Sequence, residues 1–179
     1  MNKLALIGLD RIIADGTLRF ARADQTASAR YDEQTQNREW SDLYWQTAFT
    51  PDLVQLDTLI DGAQDALDRL SQQGYTIIIL TSRPETMRAA TLEWLKQHSV
   101  PFAYLSMKPP AHKYTKSRVW LAGKVCELGT MFGAEEVMYV ESDEQVRLEV
   151  LRYSYPFQFS LHLNLSMQED EEEEDDNPF

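Results

Sequence analysis

Short uninterrupted apolar runs alternate along this chain with stretches whose apolar residues recur every three or four positions. Residues 3–9 (Lys-Leu-Ala-Leu-Ile-Gly-Leu) are such a run, continuing toward Ile13 or ending at Asp10, and predict a parallel strand covered on both faces. Asp15-Gly16-Thr17 is a turn signal. Residues 21–50 are polar and poor in branched aliphatics, with Trp40, Tyr44, Trp45 and Phe49 toward their end. The first part predicts a loop or flap, the second an aromatic-bearing helix able to sit over a site. Ala63, Ala66, Leu67 and Leu70 fall at helical spacing, with Gly74 suited to the cap. Tyr75 to Leu80 is the clearest strand, rich in β-branched residues. A loop at Thr81-Ser82-Arg83-Pro84 then opens a helix over about 85–97. Further on the pattern predicts a strand at 102–105, broken by Met107-Lys108-Pro109-Pro110, and a helix over 116–132. A buried strand at 137–140, a helix over 144–152 and an edge strand within 157–165 complete the set.

Strands alternating with helices indicate an α/β fold: a three-layer, Rossmann-like parallel sheet with helices on both faces. The segment 20–57 is then a small cap or flap inserted after the first strand, and residues 1–166 form one domain. Ligands of such sheets bind at the carboxyl ends of the strands. The residues following the predicted strands are polar as that requires: Asp10, Thr81-Ser82, Met107-Lys108 and Glu141-Ser142-Asp143.

Composition narrows the function classes. The length of 179 residues suits one domain, and the single cysteine, Cys126, excludes a disulfide framework and a multi-cysteine zinc site. No apolar stretch is long enough for a membrane span, and the Leu4–Ile7 run is too short for a signal-peptide core, so a cytoplasmic location is expected. The net charge of −12 is concentrated in eight acids between Glu169 and Asp176, which leaves −4 for the rest. No broad basic stripe predicts strong duplex DNA binding. His98, His112 and His162 have no mutual spacing for a metal.

The motifs carry a more specific likeness. Gly8-Leu9-Asp10-Arg11-Ile12-Ile13-Ala14-Asp15-Gly16-Thr17-Leu18-Arg19 resembles a first motif of the form Asp-x-Asp-Gly-x-x-Ala-Asp-x-x-x-Arg. Trp45, Phe49, Asp57 and Ile60 follow, then Leu80-Thr81-Ser82-Arg83-Pro84-Glu85, Thr91-x-x-Trp94-Leu95 and Met107-Lys108-Pro109. Over residues 3–155 the ordered set resembles the haloacid dehalogenase (HAD) superfamily, in the subgroup of phage HAD proteins and the phosphatase domain of polynucleotide kinases. The resemblance implies an aspartate that attacks phosphorus, a second carboxylate two residues on as acid and base, a hydroxyl and a lysine for the phosphoryl oxygens, and Mg²⁺. On that pattern Asp10 takes the acid/base position and Thr81 the hydroxyl. Lys124 takes the lysine, with Lys116 as the alternative. Phosphate contacts are expected from Thr81, Ser82, Arg83 and Lys124, and metal contacts from Asp10, Glu141 and Asp143.

The departures bear on activity. Gly8 stands at the nucleophile position, Ser142 where a second acid is usual, and Arg11 where the family has Gly. Mg²⁺ binding is therefore expected to be weak. A second register aligns Asp15 with the acid/base and leaves Ile13 at the nucleophile. A third makes Asp10 the nucleophile and Ile12 its missing acid, which permits slow chemistry. Each candidate also has a purely structural reading: Asp10 and Glu141 as loop acids, Thr81-Ser82 as a helix cap, Lys124 as a solvated surface residue, and Trp40, Trp45 and Phe49 as packing.

The end of the chain, Glu169 to Phe179, predicts a solvated acidic tail. Asp175-Asp176-Asn177-Pro178-Phe179 resembles the C-terminal tip of bacterial single-stranded DNA-binding proteins. That resemblance implies that Asp175, Asp176, Pro178 and Phe179 dock in a pocket of a DNA replication or repair enzyme. Three functions follow as expectations: a catalytically degenerate HAD-like binding or adaptor module able to hold a phosphate-bearing ligand; an active phosphatase on nucleotides or nucleic-acid ends; or a structural subunit.

Overall fold

A computed structural model describes residues 2–31 and 38–165; the tail positions Asp175, Asp176, Pro178 and Phe179 lie outside them. The apolar runs become five parallel strands in the order β5-β4-β1-β6-β7. They are β1 (Lys3–Gly8), β4 (Tyr75–Pro84), β5 (Tyr104–Lys108), β6 (Glu136–Val140) and β7 (Gln158–His162). In β1 successive side chains enter opposite cores, which is why the run shows no polar alternation. Ala5 and Ile7 join Ile77 and Ile79 under α4 (Ala63–Gln72) and α5 (Arg88–Gln97). Leu4 and Leu6 join Ile78 and Leu80 under α6 (Ser117–Met131) and α7 (Glu144–Val150). The three-layer α/β architecture is thus present.

Between β1 and α4 the chain builds a cap. A short hairpin pairs β2 (Ala14–Asp15) with β3 (Thr58–Leu59), and α1 (Thr17–Arg30), α2 (Arg38–Ala48) and α3 (Pro51–Val54) lie between its strands in sequence. The segment expected as loop after residue 20 is helical through Arg30. Its buried face is Arg19, Ala23 and Ala27, spaced four apart. Two alanines and an arginine give no hydrophobic stripe to read, so the helix is masked in the sequence.

Three boundaries also differ. β4 runs on through Thr81-Ser82-Arg83 to Pro84, with a register irregularity between Thr81 and Pro84, where a loop was expected. Its hydrogen bonds to β5 carry the backbone past the apolar run. Met107 and Lys108 belong to β5, and the break falls at the prolines that follow. The helix expected from residue 85 begins as a 3-10 turn, Glu85–Met87, before α5.

Candidate functional site

At the carboxyl ends of β1, β4 and β6 a cleft of about 190 Å³ opens beneath the cap. Leu9, Asp10 and Arg11 follow β1; Thr81 and Ser82 come from β4; Glu141, Ser142 and Asp143 follow β6. Ser117, the first residue of α6, closes one side, while Phe20, Trp45 and Phe49 reach in from the cap. Trp45 stacks on Phe49 and meets Phe20 edge-on, so packing and cleft lining coincide.

Asp10 is not a free acid. Arg83 donates from Nε to Asp10 Oδ2 at 3.0 Å and from Nη2 to Oδ1 at 2.7 Å, and Arg19 Nη2 also donates to Oδ1. The same two arginines hold Asp57: Arg19 Nε at 2.8 Å from Oδ1 and Arg83 Nη2 at 2.6 Å from Oδ2. Two aspartates and two arginines thus close a charge-balanced ring whose Arg19, Arg83 and Asp57 side chains are fully buried. Burial pushes the Asp10 carboxyl up, but Arg83 and then Arg19 outweigh it and hold it below its ordinary value. Asp10 is therefore ionised and engaged, a poor proton donor to a leaving group.

The other predicted acids are also occupied. Glu141 accepts from the buried Tyr139 hydroxyl at 3.0 Å and from the Asp143 backbone N–H at 2.9 Å. Burial raises its pKa despite those bonds. Asp143 caps α7, accepting from Gln145 N at 2.8 Å and Val146 N at 3.2 Å. Ser142 contributes a buried hydroxyl with no hydrogen-bond partner among the described residues. Among the described residues no three His, Cys, Asp or Glu side chains converge as a metal set. The metal assignment to Asp10, Glu141 and Asp143 does not fit this geometry: guanidinium groups, a tyrosine and a helix end hold the carboxylates that Mg²⁺ would need.

The predicted phosphate contacts separate. Thr81 and Ser82 line the cleft. Thr81 Oγ1 accepts from Arg83 N at 3.2 Å and keeps its own proton to donate. Arg83 is buried behind them in the ring, with Nη1 unpaired among the described residues, rather than open to a ligand. Lys124 sits two helical turns beyond Ser117, about 10 Å along α6, and pairs with Glu127 at 2.6 Å. Lys116 is exposed at the start of α6. The lysine that burial brings toward the cleft is Lys108, whose Nζ donates to Thr115 O at 2.5 Å and lies 3.5 Å from Ser117 Oγ. Desolvation lowers its pKa.

Gly8 borders Glu141 directly. A Cβ there would stand 3.1 Å from Val140 O, 3.3 Å from Ile12 Cγ1 and 3.4 Å from Glu141 Oε2. Arg11 adopts φ +66°, a left-handed conformation that suits glycine. Arg19 and Asp57 stand within the sequence motifs, where spacing alone assigns them no role. The available signal was a cation four residues ahead of Ala23 and eight ahead of Ala27, on an otherwise apolar helix face.

Comparison with known proteins is consistent with this architecture. The sequence profile of the LNS2 domain of PITM 1-3 matches residues 47–119, less than half of the chain. Among curated proteins no sequence matches. A subfamily IA HAD-superfamily hydrolase from Geobacter sulfurreducens superposes with TM-score 0.60 at 18% identity, over 87% of this chain and 85% of that one. A haloacid dehalogenase-like hydrolase from Streptococcus pneumoniae gives TM-score 0.65 at 12% identity, over 89% and 83%. A chain of the Pnkp1/Rnl/Hen1 RNA repair complex gives TM-score 0.56 at 18% identity, over 92% of this chain but 43% of that one. At these identities the likeness is one of fold, and the fold is HAD-like.

Proposed function

We propose that this HAD-like chain is a binding and adaptor module that does not proceed through a phospho-aspartate. One observation carries the reading: Gly8 offers no nucleophile, and the adjoining carboxylate, Asp10, is locked between Arg19 and Arg83. An acyl phosphate needs the first group, and protonation of the leaving oxygen needs the second. The hydroxyls of Thr81 and Ser82 and the cation of Arg11 still line the cleft and suit a phosphate-bearing ligand. The acidic tail ending in Pro178-Phe179 supplies the adaptor half: a chain-end carboxylate and an aromatic anchor for a DNA-metabolism protein.

The test is turnover of a small phosphate ester and of 3′-phosphorylated oligonucleotides with Mg²⁺. Wild type is expected to show none above buffer. Turnover that vanishes in Asp10→Asn, with the variant's fold verified, overturns the reading. Gly8→Asp is expected to remain inactive, since Asp10 stays engaged and the new carboxylate enters beside Glu141. For the tail, recovery of partners by the full chain is expected to fall when Phe179 is deleted; equal recovery rejects docking.

The other reading, an active phosphatase, draws on the retained hydroxyls and on the hydrolase relatives of the fold, and the same assay decides it.

A further inference from the structure

Residues 94–126 contain no Asp or Glu and six Lys or Arg, in a chain whose net charge is −12. Four of the six, Lys108, Lys113, Lys116 and Arg118, fall between the end of β5 and the first turn of α6. The segment between them is a succession of turns. A 3-10 turn at Pro110–His112 is followed by Thr115 N donating to His112 O at 2.9 Å and Val119 N to Lys116 O at 3.0 Å. Lys108 pins it from beneath through Thr115 O. The loop is therefore a built platform whose shape does not wait on a ligand.

Its outward groups are what matter. Tyr114 is 89% exposed, the most exposed large hydrophobic side chain among the described residues, with the Lys113 ammonium 5.6 Å from its ring centroid. A tyrosine ring left almost wholly in solvent presents a flat aromatic face beside the Lys113 cation. Lys116 is exposed and has no ion-pair partner among the described residues. Arg118 is half-committed, 3.5 Å from Glu149. Lys116 leads directly into Ser117, which lines the cleft where Arg11 adds another cation. The cleft's own acids, Asp10, Glu141 and Asp143, are held by guanidinium groups and hydrogen bonds, which reduces the opposition they offer to an anion.

We infer that the loop of Lys113, Tyr114 and Lys116 is a docking surface for single-stranded nucleic acid, which it guides toward the adjoining cleft. Unstacked bases need an aromatic platform, and the backbone needs nearby cations; a duplex offers no free base face to Tyr114. The small number of cations sets modest, salt-sensitive affinity rather than tight binding. The inference concerns binding and stands whether or not the cleft turns over a phosphate ester.

Fluorescence anisotropy of a labelled short oligothymidylate, titrated with the full chain at low and at physiological salt, tests it. Saturable binding is expected at low salt. Tyr114→Ala is expected to weaken it about fivefold or more, and Tyr114→Phe to retain it, since stacking uses the ring and not the hydroxyl. The Lys113→Glu/Lys116→Glu variant is expected to lose about tenfold or more and to flatten the salt dependence by about one phosphate contact or more. These side chains make no structural hydrogen bonds or ion pairs among those described, so melting curves should match wild type; if the double variant fails to fold, the Tyr114 pair alone carries the test. Absence of wild-type binding at low salt overturns the inference. So do unchanged affinity in Tyr114→Ala, equal binding of a duplex of the same length, and preference for anionic lipid vesicles over the oligonucleotide.

Discussion

Two guanidinium groups converge on Asp10, and most of what distinguishes this molecule at the residue scale follows from that contact. Removing one charge from a buried, balanced ring leaves the others uncompensated, so Asp10→Asn is expected to destabilise the fold by about 3–5 kcal/mol in chemical denaturation at neutral pH. The acid limb has a definite sign. Asp10 has a depressed pKa when folded, so its contribution is complete above the unfolded carboxylate value of about 3.9 and is lost as pH falls through the lower folded value. Glu141 runs the opposite way. Its raised folded pKa means that its contribution is present below the unfolded value of about 4.3 and lost as pH rises through the folded one. Denaturation profiles of Asp10→Asn and Glu141→Gln should therefore flatten opposite limbs; identical changes in both would contradict the assignment. Arg11 is a smaller case. Its left-handed backbone favours glycine, and Arg11→Gly is expected to gain up to about 1 kcal/mol in stability, read from the same curves.

Among the elements, α1 is fastened to the sheet by a charged side chain rather than an apolar stripe. Arg19 joins α1 to Asp10 after β1 and to Asp57 before β3, while Ala23 and Ala27 fill the face behind it. Arg19→Leu should therefore loosen the cap selectively: hydrogen exchange in α1 and α2 is expected to accelerate while the amides of β1 and β4 stay protected. Uniform acceleration would mean that the cap and the sheet unfold as one unit. This anchoring also explains what could be read in advance. The strands announced themselves because β1 and β4 are buried on both sides, which forces continuous runs such as Leu4–Ile7 and Ile77–Leu80. The polar residues at their ends located the cleft for the same reason. Helix α1 was illegible because an arginine occupies a core-facing position, and that position is intelligible only once Asp10 and Asp57 are seen beside it. Lys124 stands two turns down α6, a position that distance along the sequence before β6 does not reveal.

For the whole molecule, the five-stranded sheet and its cap enclose an ion ring whose charges are balanced internally. The ring needs no added cation for its balance, so the melting temperature is expected to be the same with Mg²⁺ as with a chelator. A clear upward shift with Mg²⁺ would reveal a site bound in the native state. The adaptor reading assigns the recognition work to the aromatic cap and the loop bearing Tyr114, and to the acidic sequence that ends in Pro178-Phe179. The closed ring has a further consequence for what the sequence is able to become. Supplying an acid at position 8 changes one codon, but Asp10 remains clamped until both arginines are given other partners, and displacing both strands Asp57 in the core. Freeing Asp10 for proton transfer thus costs stability in the ring before it yields an available acid.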